Sequence, residues 1–231
     1  MSAIALLRLE VLEANVNLAR HGLVVQAFGN VSAIARDSGV VVIKPSGVPY
    51  DELEADTLVA TDLEGRVIEG RLRPSSDLPT HLALYRSFPQ IGAVVHTHSR
   101  FATIWSQAGR EIPCLGTTHA DYFRRAIPIT EAMTEEEIRS AYEWNTGQVI
   151  ARRFADLDPM DMPAVLVRGH GPFCWAKAAG VAADLAVILE EVACMAWHTL
   201  ALAPGAPAIP PALSEKHFLR KHGPEAYYGQ G

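Results

Sequence analysis

Ile91-Gly92-Ala93-Val94-Val95-His96-Thr97-His98-Ser99 is a short, branched, apolar run that ends in two histidines separated by one residue. Such a run reads as a buried strand. Strand side chains alternate faces, so His96 and His98 are expected to project the same way. Two imidazoles at the mouth of a strand make two arms of a chelate suited to zinc or its borderline neighbours. The plainer alternative is that they cap the strand end and bond to backbone. A second run, Ala164-Val165-Leu166-Val167, feeds Arg168-Gly169-His170-Gly171-Pro172. Two strands that each end in histidine can converge at one edge of a sheet, which makes His170 the candidate third arm.

Length and composition frame this reading. The chain has 231 residues, 49% of them hydrophobic, enough for one soluble domain with a full core. No run of 18 apolar residues occurs, so no transmembrane helix is expected. The start, Met1 to Arg8, lacks the basic segment and long apolar stretch of a secretory signal. Cys114, Cys174 and Cys194 are scattered and odd in number, as expected of reduced, buried thiols in a cytoplasmic protein. A net charge of −6 argues against bulk nucleic-acid binding.

Along the chain, Leu6 to Arg20 reads as an amphipathic helix with Leu12, Val16 and Ala19 on its apolar face, closed by His21-Gly22. Gly39 to Ile43 reads as a strand broken by Lys44-Pro45-Ser46-Gly47-Val48-Pro49. Leu58 to Asp62 and Arg66 to Glu69 flank Glu64-Gly65 as a hairpin. Asp77-Leu78-Pro79-Thr80 opens a helix, with Asp77 or Ser76 near its cap. Ser99 is placed to cap a helix running through Trp105. Thr134-Glu135-Glu136-Glu137 is a capping-box pattern for a helix reaching about Phe154. Ala178 to Ala203 is alanine-rich and periodic, which predicts a buried helix. A proline-rich spacer, Ala203 to Pro211, leads to a short basic helix, Leu213 to Lys221, and a polar tail. Mixed strands, helices and hairpins point to an α/β layered domain rather than a regular doubly wound sheet.

Three loops are rich in small donors: Phe28-Gly29-Asn30-Val31-Ser32, Lys44-Pro45-Ser46-Gly47 and Pro74-Ser75-Ser76-Asp77. Backbone N–H groups at turns and helix starts hold phosphate, and Lys44 would add a point charge. Turn composition of this kind also occurs without a ligand. Asp77 is placed either to cap its helix or to stand beside a metal as ligand or orienter. Asp121 and Tyr228 are further groups able to move protons, though spacing alone does not single them out. His119 and Asp121 could form a second chelate, ranked below the first because no clear strand feeds them. His217, Arg220, Lys221 and His222 form a basic cluster, either a solvated face or an anion contact within an oligomer. His21, His81 and His198 read as surface or packing residues.

Taken together these motifs resemble the L-ribulose-5-phosphate 4-epimerase family of the class II aldolase/epimerase superfamily. The marks are Gly29-Asn30-Val31-Ser32, Lys44 to Val48, Pro74 to Asp77, His96 to Ser99, Gly116-Thr117-Thr118-His119-Ala120-Asp121-Tyr122, His170 to Phe173, Leu219 to Gly223 and Ala226-Tyr227-Tyr228-Gly229-Gln230. They span nearly the whole chain. The resemblance implies a single-domain α/β/α fold and a zinc ion held by His96, His98 and His170, with Asp77 as fourth ligand or close neighbour. It implies retro-aldol cleavage of L-ribulose 5-phosphate between carbons 3 and 4, then re-addition to give D-xylulose 5-phosphate. Zinc would stabilise the enediolate charge, and Asp121 and Tyr228 would be the acid/base pair. The phosphate would sit among Asn30, Lys44, Ser46, Gly47, Ser75 and Ser76. Gly29, Thr117, Glu143, His217 and Arg220 would help bind substrate or tune the tyrosine. It further implies a cytoplasmic homotetramer with sites at subunit interfaces, residues 212–231 serving a neighbour's site, and use in L-arabinose or L-ascorbate catabolism.

Two departures from the family's pattern stand out: Arg168-Gly169 before His170, and Asn145 where an acidic residue is usual. Neither touches an expected ligand. The alternative within the superfamily is an aldolase that cleaves a deoxyhexulose 1-phosphate. Such an enzyme is expected to carry glutamate near the position of Asp77. Scaffold domains of the adducin type are expected to lack the histidine triad.

Overall fold

The protein is described by a computed structural model covering residues 3–228; Gly229 and Gln230 of the tail motif, and the ends of the expected 1–231 domain, lie outside the described residues. Strands β1 (Asn30–Ala35), β2 (Val40–Ile43), β3 (Val59–Thr61), β4 (Val67–Glu69), β5 (Ala93–His96), β6 (Ala164–Leu166) and β7 (Pro172–Ala176) form one sheet in the order β4-β3-β2-β1-β5-β7-β6. Every neighbouring pair is antiparallel. The helices are α1 (Ala3–Arg20), α2 (Leu78–Ser87), α3 (Arg100–Ala108), α4 (Thr117–Ala120), α5 (Glu135–Arg139), α6 (Tyr142–Arg153), α7 (Ala179–Leu202) and α8 (Pro211–His222). The layered α/β reading holds. The inner strands are buried along their lengths because helices cover the sheet, so they lack the polar alternation of a half-solvated sheet.

Two strands escape the sequence pattern. Asn30-Val31-Ser32 is the start of β1, at the centre of the sheet, and not a loop. Its polar residues are buried with partners. Val31 N–H donates to Asn15 Oδ1 (3.0 Å), and Asn15 Nδ2 donates to the Val31 carbonyl (3.3 Å). Ser32 Oγ lies 2.7 Å from both His81 Nδ1 and Tyr85 Oη. The second is β7, which carries Phe173, Cys174 and Trp175. The Glu64-Gly65 hairpin between β3 and β4 is present, closed by Asp62 N–H to the Arg66 carbonyl at 3.0 Å.

Other expectations shift in detail. The buried face of α1 is Val11, Ala14, Asn15 and Leu18, not Leu12, Val16 and Ala19, because the pairing of Asn15 with β1 turns the helix. The capping box forms, with Glu137 N–H on Thr134 Oγ1 and Thr134 N–H on Glu137 Oε2. That helix, however, breaks into α5 and α6 at Ser140, whose ψ is −107°. Asn145 staples the break by donating to the Glu137 carbonyl (2.9 Å) and Ser140 Oγ (3.1 Å). α7 is buried on one face only; Val181, Met195, Trp197 and Leu202 are exposed. Ser99 and Asp77 occupy cap positions without making side-chain caps. His81 is wholly buried, the packing alternative of its reading. Cys114 and Cys174 are buried and Cys194 half-buried, all as free thiols. α8 packs on α4, and Arg124 binds Glu215 at 2.6 Å.

α2 and α6 meet at Gly147, where an added Cβ would lie 2.4 Å from Ala83 Cβ. Thr80 Oγ1 donates across the same contact to the Glu143 carbonyl at 2.6 Å. Gly147→Val should therefore push the helices apart, costing about 2–3 kcal/mol. Thermal unfolding should show a midpoint lower by roughly 5 °C or more; an unchanged midpoint would refute the close contact.

Burial pulls both His81 and His119 down to about 4. His119 Nε2 faces the Arg125 carbonyl at 2.8 Å. In the unfolded chain a histidine titrates near 6.5. Between these values the unfolded chain binds protons that the folded one refuses. Stability is therefore complete above pH 6.5 and falls as pH drops toward 4, by up to about 1.4 kcal/mol per pH unit for each group. Urea unfolding of the metal-free protein at pH 7, 6 and 5 should show falling midpoints, and His119→Gln should flatten the trend. A midpoint independent of pH across this window would contradict it.

Candidate metal and anion site

β5 has β1 on one side and β7 on the other, and the rung at His96 pairs with Asn30 and Phe173. His96 is buried, and its ring stacks on Phe173 with centroids 4.2 Å apart. His96 Nδ1 lies 3.0 Å from the Pro172 carbonyl. A carbonyl only accepts, so Nδ1 carries the proton and the Nε2 lone pair is left for a ligand. The strand ends at His96, yet His98 still turns to the same side, with its Nε2 3.1 Å from His96 Nε2. Gly29 permits this packing: its φ is +81°, and a Cβ there would come within 2.9 Å of the His96 carbonyl.

His170 arrives by the hairpin that joins β6 to β7. Val167 N–H donates to the Gly171 carbonyl (2.9 Å) and His170 N–H to the Val167 carbonyl (3.0 Å). One ring nitrogen from each of His96, His98 and His170 lies within 4.8 Å of the others. Burial lowers the pKa of all three imidazoles, and their mutual repulsion adds to the effect at His96 and His170. Burial thus favours the neutral imidazole, the form that coordinates a metal, while the Asp77 carboxylate pulls the other way. Three neutral nitrogens on converging rings fit a tetrahedral borderline ion with one position left open.

Asp77 stands beside the triad without joining this compact donor set. Its Oδ2 accepts from Asn30 Nδ2 at 2.7 Å instead of capping α2. Burial acts to raise its pKa, but the imidazoles of His96 and His81, the Asn30 amide and His170 outweigh that and hold it below the usual carboxylate range.

The donor-rich loops converge on the same cavity, which is about 410 Å³. A bridge between Pro45 and Pro74 sets Ser46-Gly47 beside Ser75-Ser76. Ser75 N–H donates to the Lys44 carbonyl and Ser46 N–H to the Arg73 carbonyl, each at 3.0 Å. Asn30 Nδ2 reaches Ser75 Oγ at 3.0 Å and so ties the start of β1 in. Lys44 is buried, and desolvation pulls it down to about 8. Its ammonium donates to the Val48 carbonyl at 2.7 Å, which fixes the charge at the cavity wall. Glu143 lines the cavity from the first turn of α6. Tyr142 beside it, which the sequence did not single out, places its Oη 3.4 Å from His170 Nδ1. No spacing signal marks it, since its approach depends on the break between α5 and α6.

Asp121, Thr117, His217, Arg220 and Tyr228 do not line this cavity in their own chain. They form a second cluster where α8 meets α4. Asp121 accepts from Arg220 Nε (3.0 Å), Arg220 Nη2 (2.7 Å) and His217 Nδ1 (3.0 Å). Burial acts to raise the Asp121 carboxyl, but these bonds and the nearby cations hold it below the ordinary range. Tyr228 lies between cations, with Arg220 4.8 Å and Lys221 Nζ 4.4 Å from its ring centre. His119, bound to the Arg125 carbonyl, makes no chelate with Asp121. Arg168 packs against Gly109 at the end of α3. A larger cavity of about 690 Å³, bounded by α7, α8 and β7, is mostly apolar and holds none of the expected site residues.

Residues 9–197 match the family described as Class II Aldolase and Adducin N-terminal domain. The chain is 54% identical over 224 residues to the L-ribulose-5-phosphate 4-epimerase UlaF of Salmonella paratyphi A, covering 97% of this chain and 98% of that one. The protein of the same name from Salmonella typhi matches equally. Among solved structures, an L-fuculose 1-phosphate aldolase superposes with a TM-score of 0.77 at 23% identity, covering 94% of this chain and 95% of that one. The L-fuculose-1-phosphate aldolase of Thermus thermophilus gives 0.68 at 26% identity, covering 88% and 98%. The histidine triad and the donor loops thus sit in a chain that belongs to the class II aldolase and adducin N-terminal domain family.

Proposed function

We propose that the protein is a zinc-dependent L-ribulose-5-phosphate 4-epimerase. The convergence of His96, His98 and His170 beside the Ser46-Gly47 and Ser75-Ser76 loops is the observation that carries this reading. The name of the 54% identical Salmonella relatives agrees with it. The triad, with Asp77 beside it, holds the ion, whose Lewis acidity would stabilise negative charge on the ketone side of the substrate. The serine-rich loops, Asn30 and the fixed charge of Lys44 bind the phosphate end.

Asp121 and Tyr228 move the proton of the carbon 4 hydroxyl. One takes the proton as the bond between carbons 3 and 4 breaks, and its electron pair passes into an enediolate of dihydroxyacetone. The other fragment is glycolaldehyde phosphate. After the aldehyde turns over, the bond re-forms on the opposite face. The second residue then returns a proton to the new alkoxide, giving D-xylulose 5-phosphate. Asp121 is held ionised by Arg220 and His217, which suits it to the accepting role. Asp121 and Tyr228 lie outside their own chain's cavity, which supports a site completed across a subunit interface, in a homotetramer. None of the described helices is long and apolar enough to cross a membrane; we assign the enzyme to the cytoplasm, in L-arabinose or L-ascorbate catabolism.

A coupled assay with L-ribulose 5-phosphate, with and without a chelator, tests the reading. Chelator-sensitive formation of D-xylulose 5-phosphate is expected. Release of free glycolaldehyde phosphate would make it an aldolase, and no turnover would sink the substrate assignment. His96→Ala should remove bound zinc and activity together; retained metal would overturn the ligand set. Tyr228→Phe should slow turnover by on the order of 10²–10⁴-fold while zinc stays bound. Unaltered turnover in that variant would take the tyrosine out of the reaction.

A further inference from the structure

We propose that Glu190, on α7, is a positioning residue for the histidine triad and acts through α3. The inference rests on the reading of the triad as a metal site. α3 begins at Arg100, two residues past His98. Its opening N–H groups need acceptors. Ser99 holds the capping position but makes no cap, and its buried Oγ has no partner. The carboxylate of Glu190 takes over that role. Phe101 N–H donates to Oε1 at 2.8 Å and Ala102 N–H to Oε2 at 3.0 Å. A carboxylate at a helix N-terminus meets both the free donors and the positive end of the helix dipole.

The other end of α3 holds the other ligand loop. Gly169 N–H, one residue before His170, donates to the Ser106 carbonyl at 2.9 Å. The Arg168 guanidinium packs against Gly109, which closes α3. α3 therefore acts as a spacer between the segment that carries His98 and the hairpin that carries His170. Its place on the sheet is set by α7 at two points, Glu190 at the first turn and the Ala193 carbonyl, which accepts from Trp105 Nε1 at 3.0 Å. Releasing the first point lets the start of α3 drift, and His98 with it. A shift of about 1 Å is enough to spoil a ligand geometry.

The test is zinc affinity of the purified full chain, stripped of metal and titrated against a chromophoric chelator. Unaltered protein, Glu190→Ala, Glu190→Gln and the exposed neighbour control Glu191→Gln are compared at a temperature where circular dichroism shows each fully folded. Glu190→Ala should weaken zinc binding by roughly tenfold or more. Glu190→Gln, which keeps one oxygen acceptor, should lose less, and Glu191→Gln should match the unaltered protein. Cobalt(II) bound to Glu190→Ala should show altered visible bands, because the ligand geometry has changed. A Glu190→Ala protein with a lower melting point but unchanged zinc affinity and cobalt spectrum would overturn the proposal, since a merely structural cap acts that way. Failure of the unaltered protein to bind zinc would overturn the metal reading itself, and this inference with it.

Discussion

Strand β5 has a neighbour on each side, and its last residue, His96, lies on one rung with Asn30 and Phe173. That rung collects nearly everything the site uses. On one side Asn30 turns its amide to Asp77 and Ser75. On the other, β7 presents Phe173 to the imidazole ring and the Pro172 carbonyl to its Nδ1. Because backbone pairing sets the rung, the tautomer and ring plane of His96 are fixed by the sheet itself. The hairpin from β6 then needs only its short turn to bring His170 opposite.

Much of this was legible in the sequence, and the illegible parts have physical causes. The His96-Thr97-His98 run and the His170 hairpin announce themselves through branched apolar residues ending in histidine. The glycine- and serine-rich loops do so through turn chemistry. The polar Asn30 and Ser32 point to a loop in place of β1, since hydropathy cannot show that Asn15, His81 and Tyr85 wait to receive this segment. The same pairing of Asn15 displaced the buried face of α1 from its predicted stripe. The long helix expected after Thr134 was two helices, since the capping box fixes a start and says nothing of a break at Ser140. Tyr142 entered the site through that break. The family resemblance gave Asp121 and Tyr228 roles; the structure joins both to Arg220 in a cluster apart from the triad, a distance relation that no linear pattern encodes.

Carboxylates fasten the helical layer. Glu10 of α1 accepts from Ala179 N–H at 2.7 Å and so closes the start of α7, while Glu190 of α7 closes the start of α3. α1 therefore supplies the cap of α7 and α7 that of α3, so at these two starts residues distant in sequence replace the local serine or aspartate that capping rules anticipate. On the opposite flank Arg36 gathers the carbonyls of Tyr85, Phe88 and Ile91, which ends α2 and turns the chain into β5. The strand of the triad is thus entered through one charged anchor and left through another.

Cys174 sits on β7, paired in register with Val95 and Ala164 one rung from His96. It is buried, and burial pushes its thiol far up. Thiol reagents attack the thiolate, so the native sheet hides this sulfur both sterically and chemically. Its alkylation must wait for an opening that uncovers this face of the sheet. The protein thereby carries an intrinsic clock: the labelling rate of one sulfur counts the excursions in which the face of the sheet that carries it is laid open.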